Sequence, residues 1–391
     1  MTDRVLVAPD KFKGSLTAAD VATRVARGLT LSGFTGEVTA LPVADGGDGT
    51  VASAVSAGYR RVEFGVRGPT GQGVTASFAQ RDGTAIIEAA QACGLSLLTP
   101  GELAPLTATS CGVGELILAA CRMGAKRIVL AVGGTATTDG GAGLLQALGA
   151  RLFDGSGHPL AAGGAALARL SELDLSELKD LTGVEFLLAS DVDNPLLGPS
   201  GAAAVYAPQK GATPADVPLL EAGLARWADV AEAAIAARKS AAAGDITDSD
   251  ITEPIRDAAG AGAAGGLGFA ALLFLGARMR PGIELLLEMV SFGQQLDGAR
   301  LVVTGEGSLD EQTLHGKAPV GVARAAAVHD PAVPVVAVAG RCTLSKAQLR
   351  VAGIAAAYPL TDLEPDLDRC IADAGPLVER AAKQIAADWL S

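Results

Sequence analysis

The chain has 391 residues, a formal net charge of −12, 49% hydrophobic and 19% charged residues, and 4% aromatics beside 50 glycines. That length predicts two domains, and a Gly-rich, aromatic-poor composition predicts α/β structure packed by small aliphatic side chains and turned on glycine. The acidic balance argues against a nucleic-acid partner, because a phosphate backbone needs a positive surface.

In chain order, MTDRVLVAPD enters a strand directly, with no leader-type n-region or cleavage site. DKFKGSLT, 10 to 17, follows. Lys11 and Lys13 then precede the helical pattern SLTAADVATRVARGL, for which Ser15 or Thr17 is the expected N-cap. Lysines at the positive end of a helix are unfavourable without an anion. A phosphate or carboxylate held by them and the helix N–H groups accounts for the pattern, and lysines pointing to water are the alternative. TALPVAD is a second strand-like run, closing at Asp45; Gly46 and Gly47 allow a turn, and Asp48 reads as a cap for VASAVSAGY.

VTASFAQRDGTAIIEAA carries a D-G turn between two strand-like runs, which predicts an antiparallel hairpin and hence a mixed sheet. RIVLAVGG leads into AVGGTATTDGGAG, 131 to 143, a Gly/Thr loop before a helix expected near Ala142. Gly133 and Gly134 permit close backbone approach to an anion, and Thr135, Thr137, Thr138 and Asp139 add polar groups. A tight strand-to-helix turn is the alternative, and the chain contains no Walker A pattern. EFLLASDVD ends in SDVDNPLLG, where Asp191, Asp193 and Asn194 are suited to Mg²⁺ or to orienting a hydroxyl. YAPQKGA adds Gln209 and Lys210 as anion contacts.

The uncharged span AAGAGAAGGLGFAALLFLGA, 258 to 277, reads as a glycine loop opening a buried helix, not as a membrane anchor. Its GAGAAG matches a dinucleotide fingerprint in letters, but no strand-like run precedes it. RLVVTGEG closes on Glu306, SLDE suggests a capping box of Ser308 and Glu311, and Lys317-Ala318-Pro319 opens another helix. PVVAVAG is the last strong strand.

The continuous apolar strands predict parallel sheets. The expected architecture is α/β in two domains. A doubly wound parallel-sheet domain comes from residues 1–62 and 293–391, and a mixed-sheet α/β domain from 63–292 is inserted in it, with a ligand in the cleft between. Asp10, Asp45, Asp191 and Glu306 all close predicted strands, where open α/β sheets bind ligands. Clustered carboxylates repel unless a cation or proton relieves them, and Mg²⁺ on a nucleotide phosphate supplies that relief. Five cysteines in apolar contexts read as reduced core residues, which places the chain in the cytoplasm. His158, His315 and His329 lack a metal-site spacing, and no G-x-S-x-G elbow supports a serine hydrolase.

Nine ordered blocks resemble the type 1 glycerate kinases: APDKFKGSLTA, PVADGGDGT, CGVGELI, GGTATTDGGAG, SDVDNPLLG, PQKGA, GAGAAGGLG, TGEGSLDEQT and GKAPVGVA. The resemblance implies a discontinuous flavodoxin-like domain with an inserted α/β domain, and it implies D-glycerate, ATP and Mg²⁺. The product it implies is 2-phosphoglycerate, with 3-phosphoglycerate as the alternative and a nucleotide-dependent hydroxy-acid dehydrogenase as a remoter one. On this reading Asp191 is the first candidate for the base and Asp45 the second. Lys13 and the Gly133–Gly141 loop neutralise transferring or carboxylate oxygens, Arg67 and Lys317 are further anion contacts, and Glu306 and Asp310 hold Mg²⁺ or its waters. Expected partners are these small molecules, with no nucleic acid and no membrane; a homo-oligomer is compatible with the sequence.

Overall fold

In the computed structural model, residues 3–243 and 254–391 are described. The chain divides into two compact units, residues 1–59 with 281–391, and residues 60–280. The joins therefore lie at Tyr59/Arg60, before the strand Arg60–Arg67, and at Arg280/Pro281, not at 62/63 and 292/293. The helix Gly282–Met289 belongs to the first unit because Ile283, Leu286 and Leu287, with Val290 and Phe292 after it, are buried in that unit's core.

The first unit holds a five-stranded sheet. In spatial order its strands are Ala356–Pro359, Val335–Cys342, Ala299–Leu309, Arg4–Pro9 and Glu37–Ala40. Every neighbouring pair is parallel. Numbered along the chain within this unit the order is 2-1-3-4-5, the flavodoxin-like doubly wound arrangement. Its switch point falls between Arg4–Pro9 and Ala299–Leu309.

The apolar runs form central strands because both faces are covered. Leu6, Ala8 and Val302 face one core, where Ala318–Ala327 and Gly282–Met289 pack. Val5, Val7 and Val303 face the other, under Ala18–Leu31 and Ala374–Trp389. Each fully buried aliphatic side chain contributes about 1.5–3 kcal/mol. The two helices on that second face meet at Gly28, where an added Cβ would lie 2.4 Å from Glu379 O.

The second unit holds a six-stranded mixed sheet ordered Arg278–Arg280, Glu185–Ala189, Arg127–Ala131, Thr84–Glu88, Gly73–Arg81 and Arg60–Arg67. Its last three strands pair antiparallel and the rest parallel. The predicted D-G turn is present: Arg81 pairs with Thr84 across Asp82 and Gly83, both at positive φ. The span 258–277 forms a mostly buried helical segment, Ala263–Leu275, kinked where Ala264, Gly265 and Gly266 take positive φ, and among the described residues no helix is long and apolar enough to cross a membrane.

Candidate active site

The site in the first unit is built from strand ends at the topological switch point. Pro9 and Gly305 are in register, and Asp10 N donates to Gly305 O at 2.8 Å. Asp10, just past the end of its strand, and Glu306, within the neighbouring strand Ala299–Leu309, therefore lie side by side. The strand expected to end at Asp45 stops at Ala40. Its backbone nevertheless runs on beside Arg4–Pro9, with Leu41 N on Val7 O and Val43 N on Pro9 O at 2.8 and 2.9 Å. That extension delivers Asp45 to the same edge, and Asp10, Asp45 and Glu306 line one cavity of about 380 Å³ with Lys13, Lys317 and Arg341.

Burial governs the electrostatics, with crowding second. Burial, then the charge of Asp45, pushes the Asp10 carboxyl up to about 7, against a hydrogen bond from Lys11 N at 2.6 Å. Burial likewise raises Glu306 to about 7, opposed by Thr313 Oγ1, which donates to Oε1, and by Lys317 Nζ, 3.7 Å from Oε2. Lys317 Nζ also lies 3.9 Å from Asp310 Oδ1. Such a cluster favours bound protons or a bound cation.

The turn after Glu306 differs from expectation. The strand continues through Ser308, and the capping box is Asp310 with Thr313, not Ser308 with Glu311. Ser308 Oγ donates to Asp310 Oδ2 at 3.1 Å and accepts from Arg341 Nε at 3.0 Å. Parallel pairing of Ser308 with Arg341 puts both at the cavity, which pulls Ser308 away from a capping position.

The lysine-bearing loop also departs from expectation. Thr17 caps Ala18–Leu31 in a box with Asp20, so a carboxylate sits at the helix end where an anion was expected. Ser15 Oγ donates to Phe12 O, and Lys11 Nζ donates to Asp48 O. Lys13 lines the cavity, and its ammonium has no hydrogen bond or ion pair among the described residues. Asp48 is not a cap: Gly49 takes that place at φ 101, a conformation that favours glycine.

Several predicted contacts in the second unit are turned inward. Thr135, Thr138, Asp139 and Lys210 are buried. Asp139 accepts from Ser110 N and Oγ, Gly141 N and Gly143 N, all within 3.2 Å, and thereby pins the loop to its helix. Lys210 Nζ donates to Thr137 O at 2.6 Å, and burial holds it down at about 8. Arg67 is claimed by Glu115, with Nε on Oε1 and its backbone N on Oε2, both at 2.7 Å. Asn194 spends its amide on Ser200 O and Tyr206 OH. Gly134, Asp191 and Gln209 are exposed, and Gly133 is half-buried.

The glycines of GAGAAG serve close packing: a Cβ on Gly262 would lie 2.2 Å from Pro195 O, and on Gly265, 2.0 Å from Thr137 O. Arg341 and Thr313 escaped the sequence reading. Arg341 carried a signal, being the first charge after PVVAVAG; Thr313 carried none, because its role exists only where it meets Glu306.

Among the described residues no three His, Cys, Asp or Glu side chains converge as a cage for a metal ion. The crowded, buried carboxylates still fit Mg²⁺, which keeps waters or phosphate oxygens and needs only one or two protein carboxylates.

Fold and site together define a doubly wound α/β protein with a mixed acidic and basic cavity at its switch point. Residues 5–390 match the model of the glycerate kinase family. The chain is 43% identical over 389 residues to a glycerate kinase of Bacillus subtilis strain 168, covering 98% of this chain and 97% of that one. It is 38% identical, over the same shares, to a glycerate 2-kinase of Escherichia coli K12. A crystal structure provisionally named glycerate kinase 2, from Salmonella typhimurium LT2, superposes with a TM-score of 0.79 at 38% identity, covering all of both chains. The chain belongs to the glycerate kinase family.

Proposed function

We propose that this protein phosphorylates D-glycerate at its 2-hydroxyl, with ATP as phosphoryl donor and Mg²⁺ as neutralising cation. The observation that carries the reading is the convergence of Asp10, Asp45 and Glu306 with Lys13, Lys317 and Arg341 in one cavity at the sheet's switch point. Phosphoryl transfer needs such a set, because positioning and charge neutralisation do most of its catalysis. The name of the Escherichia coli relative supports the 2-position.

Mg²⁺, when bound, neutralises phosphate oxygens. Glu306 and Asp310 are the residues that hold it or its waters. Lys13 neutralises transferring oxygens. Gly133 and Gly134, free of side chains, leave backbone open to the glycerate carboxylate. The hydroxyl proton goes to Asp191 or Asp45; that Asp45 lines the cavity supports ranking it ahead of Asp191, the first candidate on sequence. The dehydrogenase alternative loses its support, since the space over the GAGAAG glycines is taken by the Met279 side chain at Gly260 and by neighbouring backbone at Gly262 and Gly265.

Incubation with Mg²⁺-ATP and D-glycerate, followed by phosphorus NMR, tests the reading. 2-Phosphoglycerate is expected; 3-phosphoglycerate would correct the position, and no phosphoglycerate would overturn the proposal. The true base is the residue, of Asp45 and Asp191, whose change to Asn lowers kcat by about 10²–10⁴-fold.

A further inference from the structure

The cavity at the switch point has a second character that the phosphotransfer reading does not use. One side is charged; the other is an apolar wall made by Leu360, Leu367, Cys370, Ile371 and Ala374. Leu360, Cys370 and Ala374 are buried, whereas Leu367 and Ile371 are 49% and 45% exposed. They stand four residues apart on the helix Leu367–Ala372 and so share a face. Two large aliphatic side chains left half in water at the mouth of a charged cavity invite an apolar ligand surface.

Glycerate has no such surface: a three-carbon hydroxy acid gains nothing from an aliphatic wall. Nor does it fill about 380 Å³, a volume within the roughly 300–1,000 Å³ of sites for larger small molecules. A nucleotide has both an apolar planar base and an anionic tail. The cavity is also lined by Gly307 and Gly340, whose bare backbones approach so closely that a Cβ on Gly340 would lie 2.5 Å from Gly307 O. Arg341 donates Nε to Ser308 Oγ, and its two terminal nitrogens have no hydrogen bond or ion pair among the described residues, so they are left for an anion. The neighbouring cavity of about 560 Å³ beside Ala18–Leu31 is a poorer candidate, because Asp20 already occupies that helix end.

We propose that this cavity is the adenine-nucleotide subsite, with the base against Leu367 and Ile371, the sugar over Gly307 and Gly340, and the phosphates toward Arg341 and Lys13. The proposal rests on the phosphotransfer reading above and assigns the nucleotide to the 1–59/281–391 unit.

The test is titration of a fluorescent ADP analogue into the full-length protein and its Ile371→Asp and Leu367→Ser variants, with circular dichroism as the folding control. Losing the buried contact of one such side chain weakens binding by roughly tenfold. The Michaelis constant for ATP is expected to rise in parallel, with that for glycerate unchanged. Unchanged nucleotide affinity, or a rise confined to glycerate, overturns the assignment. In the unsubstituted protein, a methyl-NMR shift of Ile371 on adding ADP is expected, and its absence at saturating ADP overturns the assignment without any variant. Nucleotide binding that is lost in the variants, in a protein that makes no phosphoglycerate, would leave the subsite standing and remove the glycerate reading.

Discussion

Lys317 Nζ lies 3.7 Å from Glu306 Oε2 and 3.9 Å from Asp310 Oδ1, so one ammonium is shared by the two carboxylates assigned to the cation. Lys317 is also the N-cap residue of Ala318–Ala327, which fixes where its stem begins. Lys317→Ala is expected to lower kcat by roughly 10²-fold, the scale for losing one preorganised charge contact. Lys317→Arg should retain part of the activity. Steady-state kinetics on both variants checks this, and wild-type turnover in Lys317→Ala would remove the residue from the site.

Thr313 is a positioning residue. Its buried hydroxyl donates to Glu306 Oε1 and accepts from Asp310 N at 3.0 Å. Thr313→Val deletes both bonds and should cost about 1–3 kcal/mol of stability. It should also move the Glu306 titration upward, because that hydrogen bond favours the charged form. The titration profile of Glu306 in the metal-free protein, followed by NMR, is expected to shift alkaline in Thr313→Val and to return in Thr313→Ser. A purely structural role would lower stability and leave the profile in place.

Asp10 and Glu306 make the unliganded protein sensitive to pH. Both carboxyls are raised from their ordinary values of 3.8 and 4.5 to about 7, chiefly by burial. Between those values the native state holds protons that the unfolded chain releases, so their contribution to stability is present at low pH and falls as pH rises through the window. Lys11, Asp45, Lys317 and Asp310 face the pair and set the size of the slope. Asp10→Asn should flatten the slope and be more stable than wild type at pH 8, by about 1 kcal/mol or more. Urea unfolding at pH 5 and pH 8 measures it; an unchanged slope counts against the raised titration.

Asp45 and Asp48 should respond unequally. Asp45 lines the cavity, and its charge bears on Asp10 and Glu306. Asp48 reaches Lys11 through its backbone carbonyl, which Asp48→Asn preserves. Asp45→Asn should therefore lower kcat by about 10²-fold or more, and Asp48→Asn by less than about twofold. Equal losses would make both side chains part of the chemistry.

Asp139 should behave as a framework residue. Fully buried, it accepts four hydrogen bonds. Asp139→Ala strands those donors and is expected to cost about 3 kcal/mol or more. Chemical denaturation reads that loss directly.

What was legible in the sequence was the main strands and the hairpin, which depend on local pattern, whereas local caps such as Asp48 and Ser308 were misread. The runs VLVAP and RLVVTGEG read as parallel strands because both faces of a central strand are buried, and Asp-Gly read as a hairpin because both of its residues accept positive φ. The ordered blocks carried the family, and the apolar runs carried Asp10 and Glu306, although the strand of Glu306 runs on to Leu309. What only the tertiary structure decided was which polar groups keep a free face. Lys11 and Lys13 are alike in the sequence, but Lys11 is taken by Asp48 O while Lys13 lines the cavity. Thr135, Asp139 and Lys210 look like ligand groups until the packing buries them. Arg341 gains its role only where two strands meet, at Ser308, and Thr313 only where the turn after the strand folds back on Glu306. A side chain's chemistry is written in its residue type, but its availability is set by partners that the fold brings from far along the chain.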